Sequence, residues 1–211
     1  PGIVSLERFR AWTKSDAFPE RGRIDWLQGR LEVDAAAEDL STHGTPKSAI
    51  AGELIQLLQV TQKGFVFIDS TRFASPDADL SVEPDVLVLL VETLQMGRAR
   101  LIPKASGPAG RFVEIEGTVD LVVECISDSS VAKDKKRLKA AYHGARVREY
   151  WLADVRREAV DLEVLLHRSA GYDAAPRDAD GFFASAVLGR KVRLRRLNRT
   201  AGLDFYSLDV R

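Results

Sequence analysis

Two acidic residues stand where the surrounding pattern calls for apolar ones. Asp85 directly precedes the run Val86-Leu-Val-Leu-Leu-Val91, and Glu124 lies inside a second run, between Val122-Val123 and Cys125-Ile126. A carboxylate in apolar surroundings is costly unless a lysine or arginine, a metal ion or a proton compensates it. Shortly after Glu124 the chain supplies Lys133, Lys135, Lys136 and Lys139. Two hard oxygen donors on strands, with an ammonium close by, describe a site for Mg²⁺ or Mn²⁺. Such a site polarises a phosphoryl group and lowers the pKa of a bound water, while the lysine orients that water or steadies developing negative charge. A plain ion pair with lysine or arginine, without metal, accounts for the same two acids equally well, because strand-end carboxylates are common.

Other reactive side chains carry less. Cys125 is the single cysteine; with no histidine near it in sequence it reads as a small buried hydrophobe. His143 and His167 lack metal-ligand spacing. Tyr142 and Trp151 suit packing positions in a core. Two stretches are locally basic, Lys133 to Arg148 and Arg190 to Arg199. In the second, Arg193 and Arg195 share one face of an alternating strand and could track a phosphate backbone, although such faces are usually just solvated.

The elements that must position these groups follow from periodicity. Leu6, Phe9 and Trp12 fall at helical spacing behind a capping Ser5. Ile24 to Val33 reads as a hairpin turning at Gln28-Gly29. Ile50, Leu54, Leu57 and Leu58 mark a helix over about 45–62, with Pro46 tolerated in its first turn. Strands are expected at Phe65–Ile68, Val86–Val91, Asp120–Ile126, Glu149–Asp154, Ala159–Leu166 and Lys191–Arg195; the unbroken run after Asp85 predicts a strand covered on both faces. A helix is expected over about 131–144 behind the cap-rich Ser127-Asp-Ser-Ser130, a loop or insertion over Met96–Gly117, and a short terminal helix near Thr200. Interleaved strands and helices give an α/β or α+β class with a mixed sheet.

Composition bounds the function classes. The chain has 211 residues, 45% of them hydrophobic, enough for one core, and a single domain over 1–211 is expected. Lys plus Arg and Asp plus Glu both number 31, so there is no overall basic footprint for nucleic acid and any attraction to phosphate must be local. No apolar run approaches the roughly 20 residues of a membrane span, and Pro1–Arg10 has no secretion pattern. With one cysteine, a reducing, cytoplasmic setting is the expectation.

Taken together, Glu83-Pro-Asp85 before an apolar strand, Asp120-Leu-Val-Val-Glu124 with Ser127, a charged helix ending in Tyr142, and Glu149-Tyr-Trp151-Leu resemble the Uma-two family. These are restriction-endonuclease-like proteins of the PD-(D/E)xK nuclease fold. The resemblance runs from about Leu6, through Gly29-Arg-Leu-Glu32, to the C-terminal strands, and is most specific from Asp120 to Asp154. It implies a central mixed sheet flanked by helices, an N-terminal hairpin and C-terminal strands. It further implies that Asp85 and Glu124 bind metal, with the carbonyl of Ile126, or Cys125, completing the coordination. The wider fold carries its lysine two residues after the second acid, where this chain has Ile126; the family is thought to draw it from the following helix. Lys133 is the first choice, with Lys135 and Lys139 as alternatives. His43 resembles the family's histidine at that place, and with Lys47 it could reach the cleft.

Two function classes follow. One is a Mg²⁺- or Mn²⁺-dependent endonuclease acting on nucleic acid, DNA ahead of RNA, through Asp85, Glu124 and Lys133, with Lys47, Arg193 and Arg195 as backbone contacts. The other is a non-catalytic nucleic-acid- or partner-binding module on the same fold, which the missing strand lysine at Ile126 favours. A homodimer stays open.

Overall fold

The computed structural model describes residues 2–105 and 108–211. Helix α1 (Leu6–Thr13) starts at Ser5, whose hydroxyl accepts from the Arg8 amide. The hairpin β1 (Arg23–Leu27) and β2 (Arg30–Asp34) turns at Gln28 and Gly29, which both take the left-handed conformation of a tight two-residue turn. A π-helical turn, Leu40–Gly44, runs into α2 (Thr45–Leu58), with Pro46 in the first turn as expected. There follow β3 (Gly64–Ile68), β4 (Arg72–Ser75), β5 (Leu80–Val82), β6 (Val86–Leu90), α3 (Val91–Gln95), β7 (Ala99–Pro103), β8 (Phe112–Gly117) and β9 (Leu121–Cys125). A π-helical segment, Lys133–Leu138, continues directly into α4 (Lys139–Gly144). The chain ends in β10 (Glu149–Asp154), β11 (Asp161–Arg168), β12 (Gly171–Ala174), β13 (Phe183–Ser185), β14 (Arg190–Thr200) and β15 (Leu203–Val210).

The fold is α+β with mixed sheets. One six-stranded sheet runs β2-β1-β5-β4-β8-β7, a second β12-β11-β10-β9-β6-β3, and a third holds β13-β14-β15. In the second sheet β9 and β10 are parallel while β6 and β9 are antiparallel. Its two faces bury separate apolar clusters. Val86, Val88, Leu121, Val123, Cys125 and Trp151 pack against Ile50 and Leu54 of α2 and against β14 and β15. Leu87, Leu89, Val122, Ile126 and Tyr150 pack against Leu138, Ala141 and Tyr142 and against Phe73 and Leu80 of the first sheet. The run after Asp85 is therefore covered on both faces, as its unbroken hydrophobicity requires. Among the described residues no helix is long and apolar enough to cross a membrane.

Two expectations are corrected. The stretch 96–117 is not a loop: β7 and β8 pair antiparallel, with Arg100 opposite Glu116, and Pro103 and Gly117 lie within the strands themselves. Residues 106 and 107 of the connection between them lie outside the described residues. The end of the chain is a strand and not a helix. Thr200 pairs with Leu203 across Ala201 and Gly202, both left-handed, and Tyr206 and Leu208 alternate into the core. A two-residue turn with that backbone returns the chain as a hairpin.

Candidate active site

The pairing of β6 with β9 places Val86 opposite Val123, so one step outward Asp85 stands opposite Glu124. Side chains alternate along a strand; Asp85 and Glu124 accordingly share the face of Leu87 and Val122. Both are buried, at 1% and 2% exposure. Asp85 Oδ2 accepts from the Cys125 amide at 2.8 Å and lies 3.0 Å from His43 Nε2. Its Oδ1 takes Arg23 Nη2 at 2.5 Å, and the other end of that guanidinium is 3.9 Å from Glu124 Oε2. Tyr142 donates its hydroxyl to Glu124 Oε1 at 2.6 Å.

A third acid joins them. Asp25 of β1, buried, accepts from the Glu83 amide at 3.0 Å and from Lys133 Nζ at 2.7 Å. Arg72 stands 3.8 Å from Asp25 and pairs with Glu83. Lys133 is thus tied to the acid cluster through β1. Lys135 instead reaches Glu163 of β11 at 3.5 Å, and Lys139 forms no ion pair among the described residues. Lys135 and Lys139, four residues apart, share one side of the helix and Lys133 faces another, so only one of the three candidates meets the acids.

The electrostatics separate the two central carboxyls. Burial opposes the charge on Asp85, but the hydrogen bond from His43 and the Arg23 charge outweigh it and hold Asp85 below the usual carboxylate range. Glu124 is pushed well up, first by burial and then by the charge of Asp85, so it takes up a proton more readily than Asp85 does. Burial also works against the His43 cation, yet Asp85 and then Glu38 push it up to about 9. Burial likewise opposes Lys133, but the charge and hydrogen bond of Asp25 raise it and keep the ammonium charged. Nearby Asp134 is pushed up to about 6, chiefly by burial.

Asp85 forms part of the wall of a cleft of about 480 Å³, and Glu124 lies one strand behind it against Tyr142. The remaining wall is acidic, with Glu20, Asp34, Glu38, Asp39, Glu83 and Asp128 facing Arg23, His43 and Lys47. Lys47 is held at the rim by Asp69 at 2.8 Å and Glu38 at 2.6 Å. A cleft with this balance attracts a small cation and repels a bare phosphate. Among the described residues no group of three His, Cys, Asp or Glu side chains is placed to hold a metal ion. Two carboxylates supplemented by peptide carbonyls and water are nonetheless a donor set that Mg²⁺ commonly uses. The place between them is taken by the Arg23 guanidinium.

The other expected site residues fall as follows. Cys125 contributes its amide to Asp85, while its thiol belongs to the apolar cluster on the opposite face and burial pushes it well up. The Ile126 side chain is buried in the other cluster and its amide bonds the Ala153 carbonyl, leaving only its own carbonyl as a donor. Arg193 and Arg195 both pair with Asp209 on the third sheet and do not line the cleft. Arg23, Asp25 and the Tyr142 bond to Glu124 went unread in sequence. Asp25 between Ile24 and Trp26 was the available signal, an acid at a hairpin position whose neighbours are buried.

Comparison with known proteins bears on the same residues. The family described as "Uma2: Putative restriction endonuclease" matches residues 6–176, a span that contains every residue of the cleft. Among solved structures, a protein of Anabaena variabilis described as a "putative nuclease belonging to DUF820" superposes with a TM-score of 0.62 at 14% identity, covering 89% of this chain and 92% of its own. At that identity the likeness carries the fold alone. No curated protein matches the chain.

Proposed function

We propose, because the chain belongs to the Uma2 family of restriction-endonuclease-like proteins, that the Asp85–Glu124 cleft hydrolyses nucleic-acid phosphodiester bonds, DNA ahead of RNA, with Mg²⁺ or Mn²⁺. The observation that carries this reading is the placement of Asp85 opposite Glu124 on one face of adjacent strands. Asp85, Glu124 and the Ile126 carbonyl would hold the ion. When bound, it supplies polarisation of a phosphoryl oxygen and a more acidic water.

The chain's own groups do the rest. Lys133, kept charged by Asp25, is the residue set to steady negative charge on the reacting phosphate. Tyr142 orients Glu124 through its hydroxyl. His43 and Arg23 neutralise Asp85 in the free protein and fix its carboxylate plane. Lys47 in the cleft wall is the further contact for a backbone phosphate.

The test is Mg²⁺- or Mn²⁺-dependent cleavage of labelled DNA and RNA by purified protein and by Asp85→Asn and Glu124→Gln. Both variants are expected to lose cleavage. Glu124→Gln, nearly isosteric with the acid it replaces, is expected to stay folded by circular dichroism. Cleavage retained in both variants removes the reading.

One observation favours a second reading, a binding module without catalysis. Arg23 already stands between the two acids, so the pair is neutralised without any ion. Calorimetric titration with Mg²⁺ and Mn²⁺ separates the two: binding weakened by Glu124→Gln supports the enzyme, and no ion binding supports the module.

A further inference from the structure

At the opposite end of β9 from Glu124, four residues or about 13 Å of strand away, lies a second pocket of about 570 Å³ lined by Arg98, Arg146, Arg148, Thr93, Thr118 and Asp120. Asp120 is fully buried and accepts three hydrogen bonds: its Oδ2 takes the Leu90 amide at 2.8 Å, and its Oδ1 takes Thr93 Oγ1 at 2.8 Å and Arg148 Nη1 at 3.1 Å. Arg98 donates to the same Thr93 hydroxyl at 3.2 Å. Two guanidinium groups therefore stand beside one carboxylate, Arg148 bonding it directly and Arg98 through Thr93. Of the other acids in the wall, Glu116 is held by Arg10 and Arg100, and Asp77 is exposed at the rim. Arg98 and Arg146 have no carboxylate partner among the described residues.

Arg146 adds an independent observation. Its φ of +59° is left-handed, in the position after a helix that glycine normally fills. The helix end there is closed by the Arg146 amide on the His143 carbonyl and the Val147 amide on the Tyr142 carbonyl. These backbone bonds close the helix end without using the Arg146 side chain.

We propose that this pocket binds a phosphate group, either of a free phosphate ester or of a nucleic-acid backbone. Like charges gathered in a cleft are stabilised by a polyvalent anion, and the guanidinium fork matches phosphate oxygens in pairs. The inference does not depend on the chemistry assigned to the Asp85 cleft.

Calorimetric titration with inorganic phosphate, a nucleoside 5′-monophosphate and an unphosphorylated oligonucleotide tests it, with metal withheld. The comparison is between wild type, the double variant Arg98→Gln/Arg146→Gln, and Arg30→Gln, which removes an exposed arginine of β2 that lines neither pocket. Arg148 is left in place because it neutralises Asp120. At least a tenfold loss of affinity is expected in the double variant, with none in Arg30→Gln. If the small phosphates show this pattern, the ligand is a free ester. If only the oligonucleotide shows it, the ligand is a backbone phosphate. Equal affinity in wild type and double variant, an equal loss in Arg30→Gln, or no binding of any probe overturns the assignment. A thermal melt that coincides with wild type confirms that the double variant is folded.

Discussion

Replacing Arg23 with glutamine removes the cation that stands between two buried carboxylates. Breaking a buried ion pair from one side costs about 3–5 kcal/mol, because an uncompensated charge is left behind. Here the loss falls mainly on Asp85, since Arg23 bonds it at 2.5 Å and stands 3.9 Å from Glu124. Asp85 keeps the Cys125 amide and His43, which places the cost at the lower end, about 3 kcal/mol. For a chain of this size that corresponds to a fall in melting temperature of about 6–12 °C. The same vacancy of positive charge makes the acid pair a better cation site. An ion at a hundredfold excess over its Kd stabilises the folded state by about 2.7 kcal/mol, so Mg²⁺ or Mn²⁺ is expected to restore most of the loss and to raise the melting temperature of the variant more than that of wild type. Scanning calorimetry with and without the ion measures both effects. A variant that melts with wild type in the absence of ion refutes the idea that Arg23 balances these acids, and equal ion stabilisation of the two proteins refutes the idea that ion and arginine share one place.

Three further outcomes follow from particular contacts. Tyr142→Phe deletes the hydroxyl donor of buried Glu124 and is expected to cost about 1–2 kcal/mol in urea unfolding; an unchanged midpoint shows that the bond contributes nothing. Arg146→Gly relieves a left-handed residue and is expected to stabilise by about 1 kcal/mol in the same assay while weakening phosphate binding. Arg195, then Arg193, hold Asp209 below the usual carboxylate range. A depressed folded-state pKa stabilises above the unfolded value near 3.9 and is lost as pH falls through the folded one. Wild type is therefore expected to lose stability more steeply than Asp209→Asn below about pH 4, and parallel acid-unfolding curves contradict the pairing.

Much of the molecule was legible before any coordinates. The capped helix at Leu6, the Gln28-Gly29 hairpin, the helix behind Pro46 and the strands carrying Asp85 and Glu124 all follow from short-range rules: side-chain period, turn chemistry and capping. Those rules also marked the two acids, because a charge inside an apolar run stands out wherever the run ends up. They failed at 96–117, where Gly and Pro punctuation hid a short hairpin, and after Thr200, where a two-residue turn was not recognised. What no local pattern contains is register between distant segments. That Val86 meets Val123, and hence Asp85 meets Glu124, is set by strand pairing across some forty residues. That Arg23 and Asp25 enter the same cluster depends on how the N-terminal hairpin packs over the strand ends. The choice of Lys133 over Lys135 and Lys139 rests on the rotation of a helix about its axis, which the packing of Leu138 and Tyr142 decides. Local composition determines which residues are strained by burial; only the tertiary arrangement determines which opposite charges arrive to relieve them, since that energy depends on distances between parts of the chain that are far apart in sequence.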